Sequence, residues 1–393
     1  MIRSQIGWLC LPFVGAACVW QLLCNDGENR SGLKQVLAFA GKLLGGMAII
    51  TVIHHGCYSN AEWQEYLQYN EARTQLYDYT DFLSTDKYEK EYADYGMNYE
   101  EYQLLFHYNT MLDSTLDVEK LQTVAGKVTE GMNAENGLWK RLRSGVEKYY
   151  IQLRYHDFPY NYIWVGVFAF LGCCFLFQKK WLQVLYLGLL FVGRSSIWIY
   201  LLSQGRFPER VSISLYLLEL LLLLGIGLSG VSIKKPIPRK GFVCASTVLI
   251  ILLGMFLGRD TWQKVELQTQ VQQEWNVLKN FSASNENTTY FMDVFSAVKY
   301  GDMLFAADNE NIMMIGGWLS SSPLSTERLA KLGGQDGAEV MYYSENVRLV
   351  VASDREIAWM EEYFMKRFPD ARLVQEQEVV HDKGSFLIYR LEK

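Results

Sequence analysis

The sequence predicts a membrane α-helical bundle of about six spans, with a helical insert and a C-terminal α/β domain. Three observations predict it. Residues 162–258 hold four apolar runs in close succession, the clearest being Ser212–Leu228 with LYLLELLLLLGIGL inside it. Two further apolar runs lie near the N-terminus, and two polar blocks of domain size lie between and after the runs. A run of ~18 or more apolar residues is long enough to cross a hydrocarbon core of ~30 Å. The chain therefore divides into two spans (1–57), an insert (58–161), four spans (162–258) and a terminal domain (259–393).

Mean hydropathy is only −0.01 because the polar blocks dilute the spans. Both blocks are acidic, with 10 Lys/Arg against 18 Asp/Glu in 58–161 and 14 against 21 in 259–393. With a net charge of −6 the chain carries no signal for nucleic acid. Its seven cysteines (Cys10, Cys18, Cys24, Cys57, Cys173, Cys174 and Cys244) all fall in or beside the apolar runs. Neither polar block can build a disulfide framework or a cysteine metal site, and no metal or cofactor motif is present.

The spans read as about 6–24, 36–57, 162–178, 182–203, 211–230 and 242–258. Short loops rich in Lys and Arg face the cytoplasm. Arg30 and Lys34, then Lys179 and Lys180, then Lys234, Lys235, Arg239 and Lys240 fall on one side if the spans alternate. The opposite short segments carry only Arg3, Arg206 and Arg210. The expected location is the cell membrane, multi-pass, with both large domains and both termini extracytoplasmic and membrane lipids as partners.

The insert reads as helices. Asn60 is placed to cap a helix over Ala61–Gln75, Asn98 with Glu101 forms a capping-box pattern, and Asp117 can cap Val118–Thr129. Glu135–Tyr155 reads as a last helix. Ten tyrosines lie between Tyr66 and Tyr108. Their apolar faces and polar tips suit both a small helical core and sugar stacking. Glu71, Asp78 and Asp81 near Arg73 are the candidate catalytic carboxylates, because paired carboxylates beside an arginine can exchange protons.

In the terminal domain a polar helix over Thr261–Phe281 is followed by strands at Thr289–Phe295, Asn311–Ile315 and Val347–Ala352. Arg372–Val380 and Ser385–Leu391 read as a closing hairpin. Ser322 is placed to cap a helix with Pro323 at its first position. Ser353 and Glu356 are spaced as a capping box for a helix burying Ile357, Met360, Phe364 and Phe368. Gly316, Gly317, Trp318 and Ser322 form the candidate ligand loop, at a strand end where α/β domains often bind.

Two charges fall inside apolar runs. Arg194 lies 13 residues before Phe207 and Glu219 lies 12 after it, so on a helical hairpin they reach one depth and should pair. In the turn between those spans, Arg206 and Arg210 are placed to grip a lipid phosphate, with Arg73 as a further candidate.

The segments YNEARTQLYDY (69–79), GRFPERV (205–211) and GGWLSSSP (316–323) resemble those of bacterial envelope membrane proteins. The layout also resembles that of type C glycosyltransferases, with many spans, outward loops and a C-terminal outer α/β domain. The resemblance implies handling of a lipid-linked sugar or surface glycan on the outer face. In that family the catalytic acid sits on an early outer loop; Met1–Gln5 here has no carboxylate. The alternative is a non-catalytic binding or assembly component of an envelope complex.

Overall fold

The computed structural model describes residues 5–24, 29–80, 92–135, 137–205, 207–230, 239–301 and 311–393. Side chains of residues 5–9, 24, 29–31, 135, 210, 230, 239–257, 260 and 261 lie outside that description. The chain forms two compact units, each assembled from separated segments: 1–59 with 131–239, and 60–130 with 240–393.

The first unit contains α1 (Gln5–Cys24), α2 (Asn29–Cys57), α6 (Leu138–Tyr155), α7 (Tyr160–Phe177), α8 (Trp181–Ser203) and α9 (Glu209–Gly230). Among the described residues, Gly32–Cys57, Tyr160–Phe177, Trp181–Ser203 and Val211–Ser229 are long and apolar enough to cross a membrane. The apolar stretch of α1, Cys10–Leu23, is shorter. The run at 242–258 has no described side chains up to residue 257. Four candidate spans therefore stand where six were expected, and they point to a membrane protein. Their outward surfaces carry Leu37, Ile49, Ile53, Phe170, Leu189, Val192, Leu221 and Leu228, all exposed. Water would not tolerate so large an apolar surface, and lipid does. Between the helices, Trp164, Phe175, Trp198, Tyr216, Leu223 and Ile226 form a buried core.

Helix α6 is polar enough to read as part of the insert, yet it packs along α8. Gly145 lets the backbones approach, because a Cβ there would stand 2.8 Å from the Ile199 carbonyl oxygen. Arg141 donates to Gln204 and Tyr149 shares a hydrogen bond with Ser195.

The second unit joins the helices of the insert to the terminal domain. It contains α3 (Ala61–Asp78), α4 (Tyr99–Phe106), α5 (Val118–Glu135) and α10 (Arg239–Ala283). Helix α10 runs unbroken for 45 residues through the last apolar run and the polar helix after it. The sheet contains β1 (Thr289–Met292), β2 (Ile312–Met314), β3 (Val347–Ala352), β4 (Arg372–His381) and β5 (Gly384–Glu392), in the order β2-β1-β3-β5-β4. Strands β2, β1 and β3 are parallel, and β5 runs antiparallel to β3 and β4.

Alternation along the strands supplies two faces. Tyr290, Met292, Val350, Phe386 and Ile388 pack with Trp275 and Leu278 of α10. The opposite face of the sheet carries Phe291 and Leu349, also fully buried. Helices α11 (Val294–Ala297), α12 (Pro323–Lys331), α13 (Gly337–Tyr343) and α14 (Ala358–Arg367) complete the unit. Helix α13, with Asp336 as its cap, is too short for its apolar pattern to stand out in the sequence. Edge strand β4 is mostly exposed, carries Glu376 and Glu378, and has a bulge between Gln375 and Gln377, features that discourage edge pairing.

Several caps match the sequence pattern. Asn98 and Glu101 complete a reciprocal capping box, Asp117 accepts from the Lys120 amide, and Ser322 accepts from the Ser325 amide. Asn60 makes no side-chain cap bond. Ser353 does not cap α14 either. Its backbone and side chain both pair with Ser385 at the start of β5, and Ile357 takes the cap position.

Chain order places a topological switch at β1: β2 lies on one side of it and β3 on the other. The crevice at the carboxyl ends of such strands is where open α/β sheets usually bind ligands. Here the insert fills it. Asn109 donates to Asp293 at 2.7 Å and accepts from the Val294 amide at 3.0 Å. The Met111 amide donates to the Ile315 carbonyl, and the Gly317 amide to that of Tyr108. A Cβ on Gly316 would stand 1.8 Å from the Tyr108 carbonyl oxygen.

Gly316→Ala should therefore displace the 106–112 segment. We expect it to lower the melting temperature of the protein, at a cost of about 1–3 kcal/mol or more, and to speed amide exchange in that segment. Gly126→Ala is the control, since nothing lies within 4 Å of a Cβ there and α5 should gain slightly.

Candidate functional site

A cleft of about 810 Å³ lies within the second unit, among α3, residues 110–118 and α12. Cavities of roughly 300–1,000 Å³ are typical of ligand sites. Helix α3 contributes Glu62, Trp63, Glu65 and Tyr69. The 110–118 segment brings Thr110, Ser114 and the carboxylates Asp113 and Asp117. From the far wall come Ser321, Ser325, Thr326, Glu327 and Asp336. The spacing follows from helix geometry, since residues 62, 65 and 69 recur on one face of α3.

Six carboxylates line this cleft, and no Lys, Arg or His does. Asp336 is held by Arg367 at 2.7 Å and also caps α13 by accepting from the Glu339 amide. Asp113 lies 3.8 Å from the same arginine. Glu327 pairs with Lys331 on the exposed face of α12. Tyr69 is 1 % exposed and Thr110 3 %. Neither hydroxyl completes a hydrogen bond. Burial raises the Tyr69 phenol above its ordinary range, with the Thr110 and Ser321 hydroxyls nearby.

The sequence-predicted residues fall elsewhere or only at the margin. Arg73 is buried and is drawn to the Gly316–Trp318 loop. Its guanidinium donates to the Gly317 carbonyl and lies 4.2 Å from the centroid of the Trp318 ring. Tyr66 donates to the Trp318 carbonyl at 2.7 Å. Arg73, Gly317 and Trp318 are thus brought together and hold one another, while Gly316 abuts Tyr108. Ser322 is buried as the cap of α12, and its neighbours Ser321 and Pro323 line the cleft. Glu71 is exposed and Asp78 half-buried, and neither lines the cleft. Asp81 and Arg206 lie outside the described residues, as does the side chain of Arg210.

Several tyrosines of the insert are structural. Tyr66, Tyr69 and Tyr102 are buried, and Tyr77 stacks on Tyr108 with ring centroids 4.0 Å apart. His107 stacks on Trp359 at 4.2 Å, and burial, with the Arg355 guanidinium, holds it down at about 4.

The cleft carboxylates escape sequence reading because they are scattered from position 62 to position 336. The acidity of both polar blocks was the one signal that could have pointed to them.

A second polar cluster lies in the first unit. Arg194 donates from Nε to Glu219 at 2.7 Å and from Nη1 to the Tyr149 hydroxyl at 2.7 Å. The other Glu219 oxygen accepts from the Trp198 indole. The guanidinium lies 3.9 Å from the centroid of Trp164 and 4.8 Å from that of Trp198. Arg194 Nη2 and the Tyr216 hydroxyl are buried without a partner. The cluster ties α6, α7, α8 and α9 together.

No family model, curated protein or solved structure matches the chain.

Removing either charge of the pair leaves the other buried and unpaired, a loss of about 3–5 kcal/mol. Arg194→Leu and Glu219→Leu should each lower the melting temperature in detergent more than the double change does. Additive losses in the double variant would show that the two charges do not stabilise each other.

Proposed function

We propose that the protein is a cell-membrane component whose second unit lies outside the cytoplasm and binds a hydroxyl-rich ligand, a sugar or surface glycan, in the acidic cleft. The observation that carries this reading is the lining itself. Trp63 offers an aromatic edge, Ser114, Ser321 and Thr326 offer exposed hydroxyls, and the carboxylates offer acceptors. Sugars are held by this mixture of aromatic faces and polar acceptors. The outward placement rests on the basic short loops at 179–180 and 234–240.

Of the two roles expected from the sequence, binding is favoured over glycosyl transfer. Glu71 and Asp78 stand away from the cleft, and two of the lining acids, Asp336 and Asp117, already serve as helix caps. A lipid-linked sugar would be read here through its sugar. Its phosphates would meet six carboxylates and no cationic side chain in the cleft.

Two measurements check this. In a cysteine-free background, a cysteine at Ser353 should react with an impermeant thiol reagent in intact cells, and one at Lys179 should not. The reverse pattern would place the unit in the cytoplasm. The purified full chain in nanodiscs should bind neutral oligosaccharides by calorimetry, and Trp63→Ala should weaken that binding by about ten-fold. If no oligosaccharide binds, the sugar reading fails.

A further inference from the structure

We infer that α2 is a docking surface for a membrane-spanning helix of another protein, one that carries an Asp or Glu at the depth of Lys42. The apolar part of α2 is bracketed by Lys34 and Gln35 on one side and by His54 and His55 on the other. Eighteen residues, 36–53, lie between those brackets. At ~1.5 Å per residue they cover ~27 Å and place Lys42 ~9 Å inside the nearer end. A lone ammonium at such depth is costly, and charges inside spans are ordinarily paired.

This chain offers Lys42 no counter-charge. Lys42 is exposed and forms no ion pair among the described residues. Across the six apolar runs the sequence holds one carboxylate, Glu219, and Arg194 already pairs with it at 2.7 Å. Helix α2 also stands apart from its neighbours. Its apolar window is 0 % buried, while those of α7, α8 and α9 are 22 %, 22 % and 33 % buried. Phe39, Leu44, Ile49 and Ile53 are all exposed.

The surroundings of the lysine suit a close neighbour. Ala38 stands four residues before Lys42, and Gly45 and Gly46 stand three and four after it, so all three border its side chain. Nothing lies within 4 Å of a Cβ at Gly45 or Gly46. Glycine weakens a helix, and lipid gains nothing from it, whereas small residues let a second backbone approach. A helix seated there brings its carboxylate to the ammonium in a low dielectric, where opposite charges attract strongly.

Other occupants fit less well. A second copy of this chain has no free carboxylate inside its spans, and a symmetric pair would set Lys42 against Lys42. A lipid phosphate stays at headgroup level, and a lysine snorkelling toward it needs no small residues at its side.

The test places a photo-crosslinking amino acid at Ile49, two turns from Lys42 on the same face, in the full chain in its native membrane. Cross-linked products are identified by mass spectrometry. The expected product is a membrane-spanning segment of another protein with an Asp or Glu inside its apolar run. Lys42→Leu should cut the yield at least about ten-fold, and Lys42→Arg should keep it. Leucine favours insertion, so a lost cross-link does not reflect a failed span. Lys42→Asp, combined with lysine in place of the partner's acid, should restore the cross-link. A yield that Lys42→Leu leaves unchanged overturns the proposal. So does a product with no carboxylate inside its span, a second copy of this chain, lipid alone, or no product at all.

Discussion

The side chain of Asn109 is the contact on which the second unit depends. It bridges two segments 184 residues apart, donating to Asp293 and accepting from the Val294 amide. Both partners are buried and polar, so either would be costly without the other. Around it, the Tyr108 carbonyl fills the space that a side chain at position 316 would need. The Leu112 carbonyl accepts from Tyr363 and Arg367. Together these contacts close the crevice at the carboxyl ends of β1, β2 and β3. The acidic cleft lies to one side, where α3 and α12 form its walls.

The sequence made the local elements legible and the long-range ones not. The apolar runs were read because burial in lipid demands composition alone. Asn98 with Glu101, Ser322 with Pro323, and strand Val347–Ala352 were read because each is fixed by residues a few positions apart. The Ser353 cap was misread because a pairing with Ser385, 32 residues away, outweighed the local option. Helix α6 was placed with the insert on its charge. A single glycine facing Ile199 and a tyrosine facing Ser195 bring it onto α8, and no periodic pattern announces such contacts. The cleft was legible only as a general excess of acid, since its members come from three separate stretches. Arg194 and Glu219 are the exception: equal distance from a turn gave their depth without any knowledge of the tertiary fold.

The Arg194 cluster shows how a charge is accommodated among apolar helices. One guanidinium meets a carboxylate, a phenol and two indole rings, and the carboxylate uses both oxygens. Aromatic faces supply attraction without requiring water. The result is a polar joint among four helices that lipid tails would otherwise have no reason to hold together.

The second unit is built from residues 60–130 and 240–393, with residues 131–239 of the other unit between them. On the ribosome, the early part emerges long before the strands that Asn109 must meet. Until α13 and α14 arrive, the buried Leu104, Leu105 and Leu112 lack the helices that pack on their segments. Late, long-range closure of this kind is slow and exposes apolar surface. Closure of the second unit therefore waits until its C-terminal strands and helices have been translated.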